Sequence, residues 1–301
     1  MTALRSDLDV SVVLPCHNEA EHVQAEVDRI CRSLRDSGRS FEVIALDDGS
    51  TDDTLARLRE SADKHPELVV HAFRRNGGSG TARRIGTQSA RGAIVVWTDA
   101  DMTYPNDRIP ELVAVLEDDP TYDQVVGART SEQGSMRLLR VPAKWFVRRL
   151  AERLTGERIP DLNSGFRAFR RDVAEPYLPL LPPGFSCVTT ITLSFLCNQH
   201  DVRYVPITYS PRAGRSKFSP VGDAYRYLLQ VLRMVTYFNP LSVLMPPALI
   251  LLGLSVVKGI YDMVRTPFYF PTNTILLFLT GLIIAVLALL ADLIVRSRPR
   301  G

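Results

Sequence analysis

Ala93-Ile94-Val95-Val96-Trp97-Thr98-Asp99-Ala100-Asp101 is the stretch on which the reading of this chain turns. Residues Ala93 to Thr98 form an apolar run that predicts a strand buried on both faces. The run closes on two carboxylates one residue apart. Carboxylates at the ends of buried strands lie where an open α/β sheet binds ligands. Two of them at this spacing can hold a divalent cation, which in turn can hold a diphosphate. A second acidic cluster, Asp47-Asp48-Gly49, closes another apolar run, Phe41 to Leu46.

Working outward, two further strands are expected at Val10 to Leu14, ending at Pro15, and at Leu68 to Phe73. Helical stretches are expected up to about Arg35, through Leu55 and Leu58 after the capping residues Ser50 to Asp53, and near Ala82 to Ala90. Asn76-Gly77-Gly78-Ser79-Gly80 reads as a turn into the last of these. Strands alternating with helices imply a mostly parallel sheet covered on both faces. Beyond Pro105 the pattern loosens, with a helix expected at Leu112 to Leu116 and a short strand at Gln124 to Gly127.

The C-terminal part has a different composition. Leu241 to Val257 is nearly uncharged, and Ile275 to Val295 is interrupted only by Asp292. Each approaches or reaches the roughly 20 residues that cross a bilayer. The link between them carries Tyr269 and Phe270, residues suited to a membrane interface. Two spans form a hairpin with both ends on one side. Basic residues before the first span (Arg212, Arg215, Lys217, Arg226, Arg233) and after the second (Arg296, Arg298, Arg300) place that side in the cytoplasm. A helical hairpin buried in a soluble protein is the competing reading, disfavoured by the length of the second run. Tyr225, Leu228, Leu229, Leu232 and Val235 recur at helical spacing, as in a helix lying in the interface or one packed on the globular part. The expected division is residues 1–220 for a catalytic domain, 221–240 for an amphipathic interfacial helix and 241–301 for a two-helix anchor. The expected location is the cell membrane, as an integral protein with its catalytic domain cytoplasmic.

With 36 basic and 33 acidic residues, the net charge of +3 carries no nucleic-acid signal. Cys16, Cys31, Cys187 and Cys197 show neither a CxxC pair nor zinc spacing and read as free thiols. The polar segment Met1 to Asp9 lacks the apolar stretch of a secretory signal. His17, His22, His65, His71 and His200 form no ligand cluster. His17 is placed in a donor pocket and the others at the surface. Trp97 and Trp145 read as packing residues rather than sugar platforms, with the membrane interface as the alternative place for Trp145. The segment Met136 to Leu154 interleaves six basic residues with apolar ones, either as a solvated helix face or as a surface toward anionic lipid or phosphate.

These features suit a nucleotide-activated sugar as substrate. Its diphosphate gathers negative charge as the sugar–oxygen bond breaks. Mg²⁺ or Mn²⁺ bound by Asp101, with Asp99 near the ribose or the metal, would stabilise that charge. Asp48 could accept hydrogen bonds from the base, and Pro15, Asn18 and Glu19 would form the opposite wall.

Leu14-Pro15-Cys16-His17-Asn18-Glu19, Asp47-Asp48-Gly49-Ser50-Thr51-Asp52, Asp99-Ala100-Asp101 and Ser164-Gly165-Phe166-Arg167 together resemble family 2 glycosyltransferases of the GT-A fold. The branch they look most like is the polyprenyl-phosphate glycosyltransferases, which include dolichyl-phosphate mannose synthases. The resemblance runs from about residue 9 to 240, and the hairpin is similar to that of membrane-anchored members. It implies a Rossmann-like, mostly parallel catalytic domain followed by a C-terminal α-helical transmembrane hairpin. It further implies a metal-dependent, inverting transfer of sugar from a nucleotide-sugar donor (a UDP-sugar or GDP-mannose) to a polyprenyl phosphate. By the same resemblance the acceptor phosphate is met by Arg129, Arg140, Lys144 and Ser216, with Lys144 standing where the family usually has serine. Arg212 and Lys217, in a basic loop, are implied at the donor diphosphate. A solvated basic turn is the plain alternative for that loop. Thr103 stands where the family often has a glutamine that helps bind metal. Arg167 is implied to order the acceptor lobe, or else to form a structural salt bridge to Asp161 or another acid.

Three other readings compete. A processive polysaccharide synthase would carry a Gln-x-x-Arg-Trp motif and more spans than this chain has. A catalytically silent membrane scaffold of the same fold is opposed by the intact acidic motifs. A soluble sugar-nucleotide-binding protein is opposed by the apolar hairpin. Two-helix anchors can pack together, so a homo-oligomer is compatible with the sequence.

Overall fold

The computed structural model describes residues 7–129, 148–149, 152, 156–210, 236–237, 239–266 and 269–297. The chain divides into two compact units, Met1–Tyr227 and Leu228–Gly301.

The first unit is built on one seven-stranded sheet. Its strands are β1 (Leu8–Cys16), β2 (Phe41–Asp47), β3 (Leu68–Ala72), β4 (Gly92–Trp97), β5 (Tyr122–Arg129), β6 (Arg167–Arg170) and β7 (Asp201–Ile207). They lie in the order β3-β2-β1-β4-β6-β5-β7. All neighbours are parallel except β6, which runs antiparallel to both β4 and β5. The first four strands are those expected from their apolar runs, and all seven residues of β2 are buried. Pro15 lies within β1, opposite Leu46 of β2. It is tolerated in this central strand because pairing with β4 has ended at Val13–Trp97.

Helices α1 (Val23–Asp36), α2 (Thr54–Ala62), α3 (Ser79–Ser89) and α4 (Ile109–Asp118) connect the early strands. The short α5 (Arg171–Ala174) and then α6 (Cys187–Cys197) follow β6. Two apolar layers result. One gathers Val12, Val27, Ile30, Leu58, Val96, Leu112 and Phe166. The other gathers Val13, Leu46, Ala82, Trp97, Phe169, Ile191 and Phe195. Alternate residues of one strand serve opposite layers, as Val12 and Val13 do. Trp97 is enclosed, with Phe169 edge-on to it at 5.1 Å, and is a packing residue. The order 3-2-1-4 puts a topological switch point beside β1 and β4, where α/β sheets open a crevice at their carboxyl ends.

The second unit is the antiparallel pair α7 (Pro240–Arg265) and α8 (Thr272–Arg296). Asn239 caps α7, its Oδ1 accepting from the Ser242 amide. Both helices are long and apolar enough to cross a bilayer, with mean hydropathy of 2.0 and 2.8. Their facing seam is small and polar: Ala248, Ser255, Gly259 and Asp262 on α7, and Thr274, Gly281 and Ala288 on α8. The outward residues are large and apolar, among them Ile250, Val257, Ile283 and Leu293. That inversion of the soluble pattern is what lipid-facing helices show. Near the turn, Lys258 pairs with Asp262 at 2.8 Å and the Thr274 hydroxyl donates to the same carboxylate. Most of the helix expected over 221–240 lies outside the described residues.

Candidate active site

The loops that follow β1, β2 and β4 meet at the switch point. After β1, Asn18 takes a left-handed backbone (φ 55°). Its amide donates to Ser50 Oγ at 3.0 Å, and its Oδ1 accepts from the Thr51 amide at 2.8 Å. The Glu19 amide donates to Thr54 Oγ1. The expected donor wall is therefore zipped to the β2–α2 loop through Ser50, Thr51 and Thr54. Asp48 is committed to backbone: Oδ1 accepts from Gly77 at 2.6 Å and Oδ2 from Gly78 at 2.8 Å. His17 stands beside it, its Nδ1 donating to the Asp48 carbonyl at 2.9 Å.

The glycines of 77–80 serve close approach as well as turning. A Cβ on Gly80 would lie 2.0 Å from the Pro182 carbonyl oxygen. The Gly80 amide donates to the Pro183 carbonyl at 2.7 Å, so the start of α3 is capped by protein.

After β4 the chain turns sharply at Met102 (φ 59°), a left-handed backbone at a site-forming loop. Asp101 is buried, and its Oδ1 accepts from the Thr103 hydroxyl at 2.5 Å. Asp99 accepts on Oδ1 from Arg83 Nη2 at 2.6 Å. Arg83 is 1% exposed and also lies over the Trp97 ring, 5.6 Å from its centroid. Gly165 roofs this pair, since a Cβ there would fall 2.9 Å from Arg83 Nη2 and 3.2 Å from Asp99 Oδ2. The Gly165 amide donates to the Tyr104 hydroxyl at 2.8 Å.

Tyr104 leads from the acidic loop toward Tyr209 and the end of β5, where Arg129 lies. Its ring stacks on Phe166 and meets Tyr209 edge-on at 5.2 Å. The Arg129 guanidinium lies 5.3 Å from the Tyr209 ring. Arg129, at the end of β5, donates from Nε and Nη2 to the two oxygens of Asp161 at 2.7 and 3.0 Å. Burial pushes the Arg129 pKa down, but the Asp161 hydrogen bonds and charge reverse this and hold it above the ordinary value. The Ser210 amide donates to the Thr103 carbonyl at 3.0 Å, so the chain leading into the basic loop is tied beside Asp101. Arg212, Ser216, Lys217, Arg140 and Lys144 lie outside the described residues.

One competing reading and one expectation are corrected. Arg167 does not pair with Asp161, which Arg129 holds. It is wholly buried and donates instead to the carbonyls of Ser164 and Val188 and to the Thr192 hydroxyl. Burial, with the Arg83 charge added, lowers its pKa to about 10. His65 is buried rather than at the surface, its Nε2 2.6 Å from Asp28 Oδ1.

Comparison with known proteins places this geometry. The family model described as glycosyl transferase family 2 matches residues 11–178, which contain every acidic loop above. The chain belongs to glycosyl transferase family 2. A second model, the GtrB C-terminal hairpin, matches residues 239–297, the α7–α8 pair. The chain is 31% identical over 191 residues to the undecaprenyl-phosphate 4-deoxy-4-formamido-L-arabinose transferase of Yersinia pestis (strain Pestoides F), covering 60% of this chain and 57% of that one. It is 34% identical over 170 residues to the transferase of the same name from Klebsiella pneumoniae, covering 56% and 51%. It thus spans little more than half the length of these curated relatives. Among solved structures, glucosyl-3-phosphoglycerate synthase from Mycobacterium tuberculosis, crystallised with Mn²⁺ and uridine-diphosphate-glucose, superposes with a TM-score of 0.60 at 23% identity. That match covers 77% of this chain and 80% of the other, and is a likeness of fold.

The family 2 domain offers carboxylate oxygens at Asp99 and Asp101, the donor type that Mg²⁺ and Mn²⁺ take. The two acids are unequal. A buried guanidinium faces Asp99, whereas Asp101 accepts from the Thr103 hydroxyl. Among the described residues, the cluster of metal-ligating side chains is elsewhere: Cys31, His65 and Glu67. Arg35 fills it, bonding both Glu67 and His65 Nδ1. Sequence reasoning did not single out Arg83 or Tyr104, nor the Arg129–Asp161 pair, because each acts through a partner remote in sequence.

Proposed function

We propose that this chain transfers a sugar from a nucleotide-sugar donor to a polyprenyl phosphate, undecaprenyl phosphate in the first instance, with inversion at the anomeric carbon. The observation that carries this is the convergence of Asp101, Arg129 and the start of the basic loop through Thr103, Ser210, Tyr104 and Tyr209. The names of the curated relatives supply the lipid acceptor, and a structural neighbour crystallised with Mn²⁺ and a UDP-sugar supports the donor and metal class. The donor is a UDP-sugar or GDP-mannose.

A lipid phosphate is anionic near neutral pH, so its oxygen is a competent nucleophile without a general base. It attacks the anomeric carbon as the bond to the nucleoside diphosphate breaks, and the electron pair leaves with the diphosphate. Two anions must therefore meet, and this chain's residues bring the countercharge. Arg129, with Arg140, Lys144 and Ser216, would seat the acceptor phosphate by charge-assisted hydrogen bonds. Arg212 and Lys217 would close on the donor diphosphate. Asp101, assisted by Asp99, would hold a Mg²⁺ or Mn²⁺ ion, which when bound supplies Lewis-acid stabilisation of the leaving group. Pro15, Asn18, Glu19 and Asp48 would line the nucleoside. In this reading residues 1–220 are catalytic, 221–240 lie in the interface and 241–301 anchor the enzyme, with catalysis at the cytoplasmic face of the cell membrane.

The test is a transfer assay on the purified full chain with undecaprenyl phosphate, Mg²⁺ or Mn²⁺ and a panel of labelled nucleotide-sugars. Label passing into the organic phase with one donor, and lost in Asp101→Ala and Arg129→Ala, is the expected result. No transfer from any donor, or full transfer by Asp101→Ala, overturns the proposal.

A further inference from the structure

Helix α1 is joined to the acidic loop through two buried polar residues that belong to none of the motifs, its own Glu26 and Asn106. Its inward face is otherwise apolar: Val23, Val27, Ile30, Cys31 and Leu34. Glu26 shares that face and is 0% exposed. Its Oε2 accepts from Asn106 Nδ2 at 2.6 Å. Asn106, equally buried, accepts on Oδ1 from the Thr98 hydroxyl and directs Nδ2 to the Asp99 carbonyl at 3.4 Å. Thr98 and Asp99 are the two residues that begin the acidic loop. One carboxylate thus holds one amide, and that amide grips the backbone and side chain from which Asp99 and Asp101 project. One turn along α1, Arg29 donates to the Tyr104 carbonyl at 3.3 Å and pairs with Asp107. The loop is held on both sides of Met102.

Glu26 is an expensive residue for a purely apolar contact. Among the described residues its Oε1 has no hydrogen-bond partner, and Arg29 Nη1 stands 3.7 Å away, beyond hydrogen-bond reach. A leucine here would avoid that desolvation and fill the same layer.

We infer that Glu26 is a positioning residue, which through Asn106 fixes the Thr98–Thr103 turn so that Asp101 is aligned in advance for a divalent cation and the donor diphosphate. This rests on the reading of Asp101 given above. Outer-shell partners of this kind typically change metal affinity by about 10- to 100-fold when lost.

The experiment measures Mn²⁺ binding to the full chain in detergent, with UDP and, in a parallel series, GDP present, by the electron paramagnetic resonance signal of free Mn²⁺. Thermal midpoints and the KM for undecaprenyl phosphate are measured alongside. Glu26→Leu is expected to weaken Mn²⁺ binding by about tenfold or more, leaving the lipid KM unchanged. Glu26→Gln, which keeps an acceptor for Asn106, should restore binding to within about threefold. Should Glu26→Leu fail to fold, Asn106→Ala carries the same expectation. Wild-type Mn²⁺ affinity in a folded Glu26→Leu or Asn106→Ala protein, or a fall in thermal midpoint with affinity intact, overturns the inference. A wild-type chain that binds no Mn²⁺ with either nucleotide overturns the parent reading of Asp101 and this inference with it.

Discussion

Arg83 and Asp99 form an ion pair at 2.6 Å in which the arginine is enclosed and the aspartate is about a quarter exposed. The pair joins α3 to the acidic loop. Its energetics are asymmetric, because Arg83 cannot be hydrated if its partner is lost. Asp99→Ala should therefore cost about 3–5 kcal/mol, the range for breaking a buried pair. Arg83→Met should cost less, since the remaining Asp99 can reach water. The order of the two thermal midpoints in detergent checks this, and equal losses would contradict it.

Gly165 tests the same pair from above. A methyl group there would press on Arg83 Nη2 at 2.9 Å and on Asp99 Oδ2 at 3.2 Å. Arg83 is packed and has nowhere to swing. Gly165→Ala is expected to cost about 1–3 kcal/mol, the usual range for overpacking. It should also lower transfer, because Asp99 would move. Measured stability and initial rate should fall together, and a Gly165→Ala protein with both unchanged would show that the roof yields.

The Arg129–Asp161 pair predicts a pH dependence. Burial raises the Asp161 carboxyl, and the Arg129 hydrogen bonds and charge more than offset it, leaving the group below the usual carboxylate range. A lowered native value means the unfolded state binds the proton more readily. The pair's stabilisation is thus fully present above the unfolded value of about 3.9 and is lost as pH falls through the lower native one. Asp161→Asn should remove that acid-dependent component, flattening the stability curve below about pH 4 while lowering stability at neutral pH. Chemical denaturation at a series of pH values reads this directly. An unchanged acid limb would mean that Asp161 is not the titrating group.

These partnerships explain where the sequence was legible and where it was not. The first four strands announce themselves as apolar runs, two of them ending in acids, so the sheet and the crevice at β1 and β4 follow from local pattern. Strand β6 is four residues, Arg167–Arg170, too short for any alternation to register. Helix α6 is buried along nearly its whole length and rich in threonine, so it shows no amphipathic period. The motif acids were legible because they close apolar runs, where a charge has no packing role. Their supports were not: Arg83 lies 16 residues from Asp99, Asp161 lies 32 from Arg129, and Glu26 lies 80 from Asn106. One sequence carries no sign of such pairings. On helices α1 and α3, Glu26 and Arg83 look like any other charged helical residue until the fold brings their partners to them.

The hairpin offers a test independent of the site. At Gly281 the two helices approach so closely that a Cβ would lie 2.9 Å from Leu252 Cγ and 3.1 Å from the Leu252 backbone nitrogen. A side chain can turn aside, but a helix backbone cannot. Gly281→Leu must therefore push α8 away from α7 along the seam that runs through Ala248 and Ala288. Without water to drive apolar faces together, van der Waals contact at small residues is what holds such helices. Gly281→Ala should cost about 1–3 kcal/mol and Gly281→Leu more, read as a shift in unfolding on titration with SDS. Gly253, where an added methyl group would meet nothing within 4 Å among the described residues, is the control. Gly253→Ala should leave the curve in place or raise its midpoint through better helix propensity. Equal behaviour of the two glycines would show that the seam is not the source of hairpin stability.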